Sequence, residues 1–339
     1  MKRLVLTLLG MLLFAPVSFA QVEAPSWKYV SGLPSSRGGR YDDMDFVNDR
    51  IGWVVNLSGE IWHTEDGGET WNLQFTQGSS RFRSVSFMDE LGPRGDQIGW
   101  AGTVFTAGSV LWETRDSGNH WVDITHRIDG VVPKGICGLV TVGKSTWGVG
   151  AFHGSPTIVR THDGGIRWLG QDLSSIAGAL VDVYFQNEQV GFAVGGSGSS
   201  LDGDAIVLRT EDGGSTWVKV FQSTRQDGIT GEWGWKISFP SKMIGYVSVE
   251  YRANPNSNDA KILKTEDGGK TWRDMPVRGS TTNLGLQGLG FISPEIGWAS
   301  GRGVTSLTTD GGESWQQLFN YNLDTGDGQL DGSMNRFIM

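Results

Sequence analysis

One eight-residue phrase recurs six times in this chain. It first reads Thr64-Glu-Asp-Gly-Gly-Glu-Thr-Trp71 and returns as TRDSGNHW ending at Trp121, THDGGIRW at Trp168, TEDGGSTW at Trp217, TEDGGKTW at Trp272 and TTDGGESW at Trp315. Its central aspartates, Asp66, Asp116, Asp163, Asp212, Asp267 and Asp310, follow one another at intervals of 43 to 55 residues. A period of this length marks supersecondary units that cannot cover their apolar faces alone and are stabilised by packing on their neighbours. Such an array can make one body of all 339 residues, although length alone would fit two domains.

Each unit holds four short apolar segments. Around the first phrase, Met44–Val47, Ile51–Leu57, Glu60–Thr64 and Thr70–Phe75 are separated by turn residues, the pattern of consecutive strands. The second segment sets glycine beside an aromatic ring at Gly52-Trp53, Gly99-Trp100, Gly191-Phe192, Gly245-Tyr246 and Gly297-Trp298, with Trp147-Gly148 reversed in the third unit. Glycine fills 51 of 339 positions, about twice its usual ~7% share, which suits short strands joined by tight turns. Helical periodicity is absent from the body of the chain. The pattern predicts an all-β fold, a β-propeller of four-stranded antiparallel blades.

Within this plan the repeated phrase is the hairpin between the third and fourth strands. Its aspartate can accept bonds from nearby backbone N–H groups, its glycines supply positive φ, and its Thr or Ser adds a local side-chain bond. The tryptophan that follows has a large apolar face to wedge between sheets. Asp66, Trp71, Asp116, Trp121, Asp163, Trp168, Asp212, Trp217, Asp267, Trp272, Asp310 and Trp315 therefore read as structural residues, one device used six times.

Six units are complete, and two further pieces look like parts of a seventh. Ser26-Trp27-Lys-Tyr-Val30 matches an outer strand without its octad, and Gly332-SMNRFIM matches the inner strand LQGLGFI that ends at Ile292. Together they would make one truncated seventh blade, shared between the ends and closing the ring. A six-bladed ring with spare ends is the alternative.

Residues 1–20 stand apart from the array. Lys2 and Arg3, the apolar run Leu4–Phe14, and small Ser18 and Ala20 have the order of a secretory signal, and the run is too short to span a bilayer comfortably. Residues 21–339 are then a single propeller domain, exported to the periplasm or outside a bacterial cell, with no transmembrane segment. Cys137 is the lone cysteine and can form no internal disulfide. The formal charge of −9 becomes more negative when Lys2 and Arg3 leave, which disfavours nucleic acid as a partner.

The octad pattern Ser/Thr-x-Asp-x-Gly-x-Thr/Ser-Trp is met in full at Thr64–Trp71, Thr210–Trp217, Thr265–Trp272 and Thr308–Trp315, while His120 and Arg167 precede Trp in the other two. It is similar to the Asp-box, or BNR, repeat of sialidases, some glucan hydrolases, sortilin-like receptors and photosystem II assembly factors. A longer phrase precedes it as FVNDRIGW, FQNEQVGF, FPSKMIGY and FISPEIGW. With that phrase, the whole mature chain resembles the photosystem II stability/assembly factor-like family. The resemblance implies a non-catalytic scaffold that binds a protein client while a membrane-protein complex is assembled or stabilised. We expect a monomer with no cofactor.

A carbohydrate-active enzyme on the same scaffold is the alternative function. A sialidase-like site would need a Tyr–Glu pair and usually an Arg-Ile-Pro; the nearest phrase is Arg127-Ile128-Asp129, and Glu250 and Tyr251 are strand neighbours that point to opposite faces. A glycoside hydrolase would need two acids, for which Asp42, Asp43, Asp45, Asp202, Asp204 and Asp227 are candidates, although turn capping accounts for the same residues. Asn320–Gly332 is rich in oxygen ligands but lacks the spacing of a calcium loop, so no metal site is assigned. For a protein client, Arg81 and Arg83 should share one side of a strand, and Trp233 and Trp235 another, both types being enriched at binding hot spots. Solvated edge charges and interior packing are the competing reading. The stretch Gly195–Ala205 is expected to form a mobile surface loop.

Overall fold

Twenty-five strands and a single 3₁₀ turn make up the regular structure that the computed structural model describes, over residues 32–34, 40–104, 108–150, 154–225, 229–253, 260–277, 285–301 and 304–318. Blade one holds β1 (Tyr41–Phe46), β2 (Gly52–Asn56), β3 (Glu60–Thr64) and β4 (Asn72–Thr76). Blade two holds β5 (Arg81–Phe87), β6 (Gly99–Val104), β7 (Leu111–Thr114) and β8 (Val122–Asp123). After the 3₁₀ turn Thr125–Arg127 and β9 (Ile128–Gly130), blade three holds β10 (Gly138–Val142), β11 (Ser145–Gly150), β12 (Thr157–Thr161) and β13 (Trp168–Asp172). Blade four holds β14 (Ala179–Phe185), β15 (Gly191–Gly196), β16 (Ala205–Thr210) and β17 (Val218–Gln222). Blade five holds β18 (Ile229–Ser238), β19 (Gly245–Ala253), β20 (Ala260–Thr265) and β21 (Arg273–Val277), and blade six holds β22 (Leu286–Phe291), β23 (Gly297–Gly301), β24 (Val304–Thr308) and β25 (Gln316–Gln317).

Each blade is an antiparallel meander of four strands in sequence order, as the repeat predicted. The first strands touch in the series β1, β5, β10, β14, β18, β22, so they line the axis and the fourth strands lie at the rim. The fold is a β-propeller. No contact of comparable extent joins β22 to β1 among the described residues. The two pieces read as a seventh blade, Ser26–Val30 and Gly332–Met339, lie outside the described residues, as do the leader at 1–20, Asn320–Gly332 and Asp227. Among the described residues no helix is long and apolar enough to cross a membrane.

The octad turns follow the chemistry expected of them. Thr64 Oγ1 donates to Asp66 Oδ1 at 2.8 Å and accepts from Gly68 N at 2.8 Å, while Thr70 donates to Asp66 from its N–H at 2.8 Å and its hydroxyl at 2.6 Å. Gly67 and Gly68 sit at φ 74° and 91°, where a side chain would be strained. In the second octad His120 Nδ1 lies 2.6 Å from Asp116 Oδ2 in place of the usual hydroxyl. In the third, Asp163 is held by Thr161 and by the backbone N–H groups of Ile166 and Arg167.

Neighbouring blades are joined by an aromatic relay. The ring of Trp53 in blade one stacks on Phe87 in blade two with centroids 3.6 Å apart, and Phe87 meets Trp121 edge-on at 6.0 Å. The same triple forms from Trp147, Phe185 and Trp217, from Phe192, Phe239 and Trp272, and from Tyr246, Phe291 and Trp315. Blade three has no phenylalanine in its first strand, and there Trp100 meets Trp168 directly at 5.7 Å. Gly99 makes room for the relay, because a Cβ at that position would fall 2.3 Å from the Phe87 ring.

Two features depart from the plain repeat. β9 adds to the rim of blade three as a fifth strand, parallel to β13, with Ile128 opposite Trp168 and Gly130 opposite Gly170. The stretch Gly195–Ala205, expected to form a mobile surface loop, has an exposed tip at Ser199 and Ser200 and backbone bonds at its base. Gly195 and Gly196 belong to β15 and Ala205 to β16, and Ser197 N bonds Asp204 O at 2.8 Å. Glu232 N in blade five donates to Gly203 O at 2.8 Å, which fastens the turn between two blades.

Candidate functional site

The first strands of five blades carry a bulge or a register shift: β1 between Tyr41 and Asp43, β5 between Phe82 and Ser84, β14 between Leu180 and Asp182, β18 between Gly234 and Ile237, and β22 between Leu286 and Gly288. A bulge sets two residues against one and re-aims the side chains that follow it. In β5 the shift falls at Arg83. This overturns the expectation that Arg81 and Arg83 share a side, since Arg81 is exposed and Arg83 is 2 % exposed.

The Arg83 guanidinium points inward across the axis. Its Nε lies 4.0 Å from Asp42 Oδ1 in blade one, and its carbon lies 5.6 Å from the ring centroid of Trp235 in blade five. Its two terminal nitrogens are buried and find no hydrogen-bond acceptor among the described residues. Burial opposes its charge, but Asp42, Cys137, Asp43 and Asp182 outweigh that effect and hold it above the usual guanidinium range. Groups from four blades thus surround a cation supplied by a fifth.

Trp233 and Trp235 share a face as expected. Their rings stack at 6.5 Å and 17°, both are buried, and they pack on Ala179 and Val181 of blade four. The competing reading, interior packing, describes the position of both rings. Beside them Lys236 Nζ lies 3.5 Å from Asp182 Oδ1, and Asp182 Oδ2 accepts from Ile237 N at 3.2 Å. Asp43 does the same three blades earlier, accepting from Val85 N at 3.0 Å.

Asp182, Lys236 and Cys137 escaped the sequence reading. A signal was present: Asp43 and Asp182 each stand three residues before the phenylalanine of a first strand, Phe46 and Phe185. The proposed acids are tied into the fold. Asp42 pairs with Arg40 at 2.6 Å, Asp45 accepts from Phe87 N at 2.7 Å, and Asp204 pairs with Arg225 at 2.7 Å. Among the described residues no group of three His, Cys, Asp or Glu side chains could hold a metal ion. The site can present a buried cation and an aromatic face at the channel.

Comparison with known proteins adds to this geometry. The chain is 25% identical over 278 residues to the photosystem II assembly lipoprotein Ycf48 of Synechococcus sp., covering 81% of this chain and 74% of that protein. It is 26% identical to the photosystem II assembly protein Ycf48 of Thermosynechococcus vestitus, covering 78% and 82%. A solved YCF48 bound to a D1 peptide superposes with TM-score 0.57 at 22% identity over 82% of each chain. The chain resembles the Ycf48 photosystem II assembly proteins in sequence and in fold. The YCF48 of Cyanidioschyzon merolae gives 0.54 at 22% identity, over 83% of this chain and 85% of that one. An ancestral GH74 enzyme shares the propeller alone, with TM-score 0.62 at 14% identity over 88% of this chain and 40% of the enzyme. No family model matches the chain.

Proposed function

We propose that this chain is a non-catalytic propeller that binds a protein client during assembly or stabilisation of a membrane-protein complex. The observation that carries the reading is the likeness to Ycf48 assembly proteins over about four-fifths of the chain, one such structure holding a D1 peptide. The leader-like residues 1–20 support export to the periplasm or beyond, and the repeated octads support an Asp-box, or BNR-repeat, ancestry. Loops at the channel mouth present recognition groups on rigid blades. The axis supplies Arg83 and Trp235, with Trp233 behind them and Arg81 on the exposed side of the same strand as Arg83.

Glycoside hydrolysis on the same scaffold is the second reading, favoured by the likeness to the GH74 fold. It needs two carboxyls facing one glycosidic oxygen, whereas Asp42 pairs with Arg40 and Asp43 and Asp45 accept bonds from the neighbouring strand β5. Affinity capture from native membranes tests the assembly reading. Subunits of one membrane complex should co-purify with the wild-type chain and drop out with Arg81→Ala, an exposed change, at an unchanged melting temperature. Release of product from a glycan panel by the pure chain would overturn it.

A further inference from the structure

A propeller rim is a row of sheet edges, and an unprotected edge is a template for pairing with another strand. Most rim strands here are protected. β21 carries Arg273, Asp274 and Pro276, β17 carries Lys219, and β8 and β25 are two residues long. β13 is covered by β9. β4, Asn-Leu-Gln-Phe-Thr, has no charge, no proline and no strand beyond it among the described residues. Leu73 within it is 47 % exposed, and Trp71 just before it is half-buried.

Blade three shows what such an edge accepts. β9 pairs parallel with the first three residues of β13, Trp168 to Gly170, and Ile128 opposite Trp168 enters the same buried cluster. The corresponding positions in blade one are Trp71 to Leu73. The next residue, Gln74, sits at a bulge and is held by Trp53 Nε1 at 2.9 Å and by its own bond to Ser117 O at 2.9 Å. Pairing is thereby confined to the same three-residue length.

We propose that the Trp71–Leu73 edge docks one extended, uncharged segment of the protein client, added parallel to β4 as β9 is added to β13. An apolar side chain of that segment lies opposite Trp71, where Ile128 lies opposite Trp168. Backbone bonds supply the affinity of such an added strand and alternate side chains its specificity. An uncharged edge with an exposed leucine selects an apolar strand, since a charge placed there would lose water without gaining a partner. The inference rests on the client-binding reading above.

A photoreactive side chain tests it in the native host. With Leu73→p-benzoylphenylalanine, illumination should join the chain to one short segment of a single client. Val218→p-benzoylphenylalanine on β17 should not. In the complex, exchange of the outward-facing Trp71 and Leu73 amides should slow by roughly tenfold or more, and Leu73→Lys, an exposed change in place of the photoreactive one, should abolish that slowing. Client capture that persists without any adduct or amide protection at residues 71–73 would sink the edge proposal and leave the client reading standing. Absence of any client by capture and by photochemistry would sink both.

Discussion

The guanidinium of Arg83, from the first strand of blade two, lies 5.6 Å above the ring of Trp235, from the first strand of blade five. These strands are separated by two blades, so the contact crosses the axis and ties opposite sides of the array. A cation over a desolvated indole contributes about 0.5–2 kcal/mol.

A double-mutant cycle measures this contact. Arg83→Met and Trp235→Leu should show a favourable coupling of about 1 kcal/mol in urea unfolding, since each removes the pair while keeping an apolar stem. Additive single effects would mean that Arg83 is held by its carboxylates alone.

Acid should weaken the turns before it weakens the core. Asp66 is held at about 2, below its ordinary 3.8, chiefly by the Thr70 hydroxyl, and Asp212 at about 2 by that of Thr216. Burial opposes the shift at Asp267, but the bonds from Thr271 outweigh it and again give about 2. A carboxylate depressed in the folded state contributes stability that is full above the unfolded value and lost as pH falls through the folded one. Urea midpoints should therefore hold steady above pH ~5 and fall between about 4 and 2. Asp66→Asn should flatten part of that fall.

Ser117 is the one non-glycine residue at positive φ among the described residues, at 58° in the second octad. Its hydroxyl accepts from Gln97 N at 2.9 Å, which offsets the strain. Ser117→Ala keeps the strain and loses the bond, whereas Ser117→Gly loses both. The glycine variant should be more stable than the alanine variant by about 1 kcal/mol, read from chemical denaturation.

The aromatic relay is the main joint between blades. Trp53 is fully buried against Phe87, so Trp53→Ala should cost roughly 3–5 kcal/mol. Exposed Leu73→Ala should change stability by less than about 0.5 kcal/mol. Equal losses would contradict the packing described for these two residues.

The propeller was legible because its signals are local and repeated. The octad, the glycine beside an aromatic ring and the period between them are each read within a few residues, and Glu60–Thr64 was placed to the residue. Arg83 was misplaced because a bulge leaves no mark in a stretch such as Ser80-Arg-Phe-Arg83, and one inserted position reverses the side that a residue faces. Its meeting with Trp235 depends on the curvature of the intervening blades, which no window of sequence contains. β9 was missed for a different reason: three residues of mixed character pair parallel with a strand about forty residues later. The Asp43 and Asp182 bonds to the next blade were within reach, because both residues hold one place in the repeat.

Strand β9 leaves blade two in sequence but is hydrogen-bonded to blade three. Tension applied along the backbone would thus load these two units together, through a zipper as well as through side chains. In an optical trap they should extend in a single rip of double length, while the other units yield one at a time.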